Sequence, residues 1–145
     1  MAAPTLPYGR QTIEDDDIAA VVEALRADFL TTGPTVAAFE TAFAERVGAR
    51  YAVACSNGTA ALHLAMLALG VGPGDTCIVP SITFLATANC AAYVGAEVVF
   101  ADVDADSGLM TPDTLAEALS RAAAPVRAVL PVHLRGDVCD LPRLA

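Results

Sequence analysis

The chain has 145 residues, 55% hydrophobic and 17% charged, with a formal net charge of −9, a composition that excludes a disordered chain and calls for one core to be buried. So acidic a chain argues against nucleic acid as a partner, because phosphate backbones are held by Lys and Arg that displace counterions. All eight basic residues are arginine and none is lysine.

The first residues, "MAAPTLPYGRQTIEDDD", contain no apolar run of the signal-peptide kind, and no stretch approaches eighteen uninterrupted apolar residues. A cytoplasmic protein without a membrane span is therefore expected. After an extended leader, "TIEDDDIAAVVEALRA" reads as a helix, with Thr12 and Asp15 spaced as a capping box and the acidic run at the positive end of the helix dipole. "FLTTGP" breaks that pattern. Pro34 then opens a second helix, "PTVAAFETAFAERVG", which pairs Phe39 with Phe43 and stops at Gly48.

From residue 51 the pattern changes. "YAVAC", "TCIVP", "EVVFA" and "VRAVLPV" are short, apolar and rich in β-branched residues, as strands buried on both faces are. Helical segments at 58–70, 83–94 and 111–124 separate them, so residues 51–145 read as an α/β domain with a parallel sheet behind a 1–50 leader and helix pair. Helix 58–70 is apolar all round apart from His63, which calls for a second layer or a partner subunit over it. The end, "PVHLRGDVCDLPRLA", starts another helical pattern and leaves the sheet unfinished, as expected of the front portion of a longer protein.

Three loops could carry chemistry. Ser56, Asn57, Gly58 and Thr59 stand between a strand and a helix, where free N–H groups at the helix start can hold a phosphate and Thr59 can add its hydroxyl; an ordinary N-cap by Ser56 or Asn57 is the alternative. In "PSITFLATANC", Phe84 falls in the first turn of a helix beyond a strand's carboxyl end, where a ring could stack on a planar ligand or simply join the core. "LTTGP" offers a hydroxyl and a glycine, and His133 falls beyond another strand's carboxyl end. "DVDADSGLMTPD" mimics a calcium loop, but Ser107 occupies the position that needs glycine and a strand precedes it, so its acids cap and solvate a turn. Cys55, Cys77, Cys90 and Cys139 show no C-x-x-C pair and no ligand spacing with His63 or His133; free thiols, mostly buried, and no metal are expected.

In chain order, "LTTGPTVAAFETAFAERVGARYAVACSNGTAALHLAMLALGVGPGD", "VPSITFLATANCAAYVGAEVVFADVD" and "AVLPVHLRG" resemble the DegT/DnrJ/EryC1/StrS family of sugar aminotransferases over nearly all of residues 7 to 145. The motif set looks most like the branch that makes UDP-4-amino-4,6-dideoxy-N-acetyl-β-L-altrosamine, on the way to pseudaminic acid. The resemblance implies the front part of the large domain of the aspartate-aminotransferase fold (type I) and the cofactor pyridoxal 5′-phosphate. It also implies a nucleotide-sugar substrate, an amino-acid donor such as glutamate, and a homodimer. By position it assigns Gly58, Thr59 and the amide of Ala60 to the cofactor phosphate and Phe84 to the pyridine ring. Tyr8, Thr32 and Gly33 fall near the sugar. The family holds its cofactor through a lysine that follows "PVHLxG", and this chain has none, so no catalytic residue is assigned and these 145 residues alone are expected to be inactive. A sugar dehydratase of the same fold, with histidine in place of that lysine, is the rival enzyme; a non-catalytic truncated chain is the other.

Overall fold

A computed structural model of the chain describes residues 9–145. They divide into two units, one ending at Ala54 and the other Cys55–Ala145.

In the first unit, α1 (Asp15–Arg26) and α2 (Pro34–Val47) form where the apolar spacing places them. The start of α1 lies further along than the sequence suggests. Its cap is Glu14, whose N–H donates to the Asp17 carboxylate at 2.9 Å, in place of the Thr12 and Asp15 pair. Pro34 opens α2, Gly48 closes it in the left-handed conformation at φ 68°, and the Phe39 and Phe43 rings stack at 5.9 Å. The expected strand at 51–55 does not form. Its composition suits a ladder, but no strand among the described residues pairs with it, and Val53 is 79% exposed. A carboxylate holds it instead: Glu40 Oε1 accepts the Ala54 N–H at 2.7 Å.

The second unit runs α3 (Gly58–Ala68), β1 (Thr76–Pro80), α4 (Ala86–Tyr93), β2 (Glu97–Ala101), α5 (Pro112–Arg121), β3 (Val126–Val129) and α6 (Leu141–Leu144). The three strands make one parallel sheet in the order β2-β1-β3. β1 is buried from end to end because successive side chains reach opposite faces and both faces are covered. On one face Cys77 packs with Met66, Val71, Cys90, Ala91 and Ala96; on the other Ile78 packs with Ala101, Met110, Leu115 and Ala118. The two crossovers leave β1 and β2 in opposite directions across the sheet, and crossovers of one hand then put α4 and α5 on opposite faces.

Proline sets the length of β3. The Leu130 N–H donates to the Ile78 carbonyl at 2.9 Å, and the next rung would need an N–H at position 80. Pro80 has none, so the ladder stops at Val129 and the expected strand through residue 132 is shortened. No helix among the described residues is long and apolar enough to cross a membrane.

At the other end of β1, the Thr76 hydroxyl is fully buried and has no hydrogen-bond partner among the described residues. A buried hydroxyl left unpaired costs about 1–3 kcal/mol. Thr76→Val removes it at constant shape, and urea denaturation should show the variant more stable by about 1 kcal/mol. A loss of stability would mean that the hydroxyl has a partner in solution.

Candidate functional site

The segment between residues 55 and 60 builds a helix start. Asn57 is the N-cap, with extended backbone, and its Oδ1 accepts the Ala60 N–H at 2.9 Å. Its carbonyl accepts the Ala61 N–H at 3.1 Å, so the cap satisfies the third and fourth donors of the helix. Among the described residues, the N–H groups of Gly58 and Thr59 have no acceptor. They stand at the positive end of an eleven-residue helix. A Cβ added at Gly58 would meet nothing within 4 Å, so no other group of the described residues crowds that side of the helix start.

Ordinary capping and a phosphate cradle are therefore not exclusive here. Asn57 takes one donor and leaves two. A phosphate group fits that arrangement through Gly58, Thr59 and the Thr59 hydroxyl, while the Ala60 amide is already engaged. The spacing of the quartet could not show this, because which of the first four N–H groups a cap takes depends on the rotamer of Asn57.

Phe84 does not lie where the sequence suggests. The helix begins at Ala86, so Phe84 precedes it, and its carbonyl accepts the Thr87 N–H at 3.0 Å. The Thr83 hydroxyl bonds the Thr87 hydroxyl at 2.8 Å instead of starting a helical turn at 83. With 77% of its surface exposed, Phe84 is not part of the core. Its ring is free to lie against a flat ligand.

Thr32 and Gly33 belong to the first unit. Thr32 carries the left-handed backbone at φ 54°, a conformation unusual for a β-branched residue, and its hydroxyl donates to the Thr31 carbonyl at 2.7 Å. Gly33 is glycine for a packing reason: a Cβ there would come within 2.7 Å of the Phe29 carbonyl oxygen. Tyr8 lies outside the described residues.

The remaining candidates have structural partners. The His63 ring meets Tyr93 edge-on at 5.5 Å, joining α3 to α4. Nδ1 of His133 accepts the Cys139 N–H at 3.1 Å, and the Cys139 thiol donates to the Val132 carbonyl at 3.2 Å, closing the loop after β3. Asp104 Oδ1 accepts from the Asp106 and Ser107 N–H groups and from the Ser107 hydroxyl. Those bonds, first the Ser107 N–H, hold its carboxyl below the usual range. Its acids make a turn, as the sequence suggests. Of the four free thiols Cys55 is exposed; burial pushes the Cys77 and Cys90 thiols up, which keeps them protonated and inert. Among the described residues, no group of three His, Cys, Asp or Glu side chains could hold a metal ion. Helix α3 is less covered than its composition demands: Met66 is its one buried residue, and Leu64 and Leu67 are exposed.

Comparison with known proteins puts this geometry in context. Residues 11–145 match the model of the DegT/DnrJ/EryC1/StrS aminotransferase family. The UDP-4-amino-4-deoxy-L-arabinose–oxoglutarate aminotransferase of Shewanella sediminis is 43% identical over 97% of this chain and 36% of its own length. A Streptococcus pneumoniae protein assigned as a sugar aminotransferase, solved in PLP and PMP forms, superposes with a TM-score of 0.84 at 35% identity, over 96% of this chain and about a third of its own (35% and 34%). The crystal structure of 3-amino-5-hydroxybenzoic acid synthase superposes at 0.83 with 36% identity, over 99% of this chain and 37% of its own. The chain thus spans little more than a third of the length of the relatives it matches.

Proposed function

The chain belongs to the DegT/DnrJ/EryC1/StrS aminotransferase family, and from that premise we propose that it is the phosphate-binding portion of a pyridoxal 5′-phosphate enzyme that aminates a nucleotide sugar. The observation that carries the reading is the start of α3, where the Asn57 cap takes the Ala60 and Ala61 N–H groups and, among the described residues, leaves those of Gly58 and Thr59 without an acceptor. The substrate is a 4-keto-6-deoxy nucleotide sugar and the donor an amino acid such as glutamate. Support for the nucleotide sugar, for amination at carbon 4 and for glutamate comes from the Shewanella relative, whose name gives a UDP pentose with its amino group at carbon 4 and oxoglutarate as the other reactant. The order of the loop motifs supports the altrosamine branch within that class.

In this reading the Gly58 and Thr59 N–H groups and the Thr59 hydroxyl donate to the cofactor phosphate, where the helix dipole favours the negative charge. Phe84 offers its exposed face to the pyridine ring. Tyr8, Thr32 and Gly33 serve the sugar. When bound, pyridoxal phosphate supplies an electron sink for charge that develops beside the transferred nitrogen. That chemistry calls for a lysine amine, and since the chain has none, these residues alone bind without turning over. The exposed leucines of α3 support a second copy as its cover, hence a homodimer.

Fluorescence anisotropy of pyridoxamine 5′-phosphate tests the cradle, since the chain has no tryptophan to interfere. The phosphate form should bind saturably, and pyridoxamine without the phosphate about tenfold or more weakly, the worth of one or two charge-assisted hydrogen bonds. Equal affinities would refute the assignment of Gly58 and Thr59.

A further inference from the structure

Strand β2 is one of the two outer strands of the sheet among the described residues. The Glu97 N–H donates to the Asp75 carbonyl and the Ala101 carbonyl accepts from the Ser81 N–H. Both of these β2 residues therefore face β1, and in a parallel ladder the alternate residues, Val98 and Phe100, turn their N–H and C=O groups to the free edge. An edge of this kind is a template for another strand. "EVVFA" suits the role, being apolar, rich in β-branched residues and free of proline.

One of those outward groups is already taken. Arg121, the last residue of α5, places its Nη2 2.8 Å from the Phe100 carbonyl oxygen. A parallel or antiparallel strand added at this edge would need that carbonyl as an acceptor, and the guanidinium holds its place with a charge. Glu97 and Asp102 flank the same segment with charges at either end.

We propose that Arg121 closes the outer edge of β2 against strand addition by a second copy of this chain. Charge at the end of α5 also favours the helix dipole, but that role concerns stability alone and leaves the edge amides untouched. The two roles are therefore separable by experiment.

The test is hydrogen exchange at the Val98 and Phe100 amides, followed at low and high chain concentration. In the unaltered chain their exchange should not depend on concentration. In Arg121→Ala, whose lost side chain is exposed and whose fold circular dichroism can confirm, both amides should slow about tenfold or more as concentration rises, the mark of a newly paired edge. Adding Phe100→Pro removes an outward N–H and none of the ladder to β1, so the double variant should lose that protection. The proposal falls if Arg121→Ala shows no concentration-dependent slowing, if the unaltered chain slows equally, or if Phe100→Pro leaves the slowing at Val98 intact. Association through the exposed helix faces would slow other amides and not this pair.

Discussion

Gly58→Asp is expected to weaken pyridoxamine 5′-phosphate binding by two to three orders of magnitude while making α3 slightly more stable. The two effects have opposite signs for one physical reason. A carboxylate in the first turn of a helix interacts favourably with the dipole, by about 0.3–1 kcal/mol. The Cβ of the new side chain also meets nothing within 4 Å, so the side chain can leave the backbone without a clash. Yet it fills the space where the phosphate would accept from the Gly58 and Thr59 N–H groups. At a separation near 4 Å and an effective dielectric near 20, the like-charge repulsion is about 4 kcal/mol, close to a thousandfold in affinity. Anisotropy titration reads the first effect and thermal unfolding the second. An unchanged affinity would place the phosphate elsewhere, and a large loss of stability would mean that Gly58 is glycine for a structural reason.

Ile78→Ala is expected to cost about 2–5 kcal/mol, a large share of the 5–15 kcal/mol that holds a typical domain together. Ile78 is fully buried at the centre of the middle strand, packed against Ala101, Met110, Leu115 and Ala118. Its neighbours are held by two adjacent strands and by α5, so the cavity cannot collapse. The urea midpoint of the Cys55–Ala145 unit should fall by about 1–2 M. Val53→Ala is the comparison, since this valine also sits in a segment of strand-like composition. It is 79% exposed, and its replacement should change stability by no more than about 0.5 kcal/mol. Similar losses at both positions would show that the 51–55 segment is paired in solution.

These two short apolar segments show where composition suffices and where it does not. "TCIVP" and "YAVAC" read alike, because a short apolar run describes what a strand looks like from its own side. A strand also needs a partner, and only the first has one on each side. The helices were more legible. Their hydrogen bonds are internal, so Pro34 and Gly48 could mark the two ends of α2 without reference to the rest of the chain. The buried alternation of Cys77 and Ile78 follows from the same local logic, since a run apolar at every position must have cover on both faces.

The phosphate cradle lies between these cases. Its location was written in Ser56 to Thr59, because small polar residues between apolar runs are a helix start whatever surrounds them. Which donors remain open was not, because that depends on the Asn57 side chain, which takes the Ala60 amide and leaves Gly58 and Thr59. Phe84 shows the same limit: whether it was core or surface depended on where α4 begins, and α4 begins at Ala86, past Phe84.

By itself, then, the sequence determined the family, the α/β alternation and the absence of a lysine, all of which are properties of residue identity and order. Only the tertiary structure decided which apolar run became a strand, which amides stayed free and which arginine lies against an edge carbonyl. Those depend on what stands across from each group, and hydrogen bonds and burial are formed between residues that local pattern does not connect.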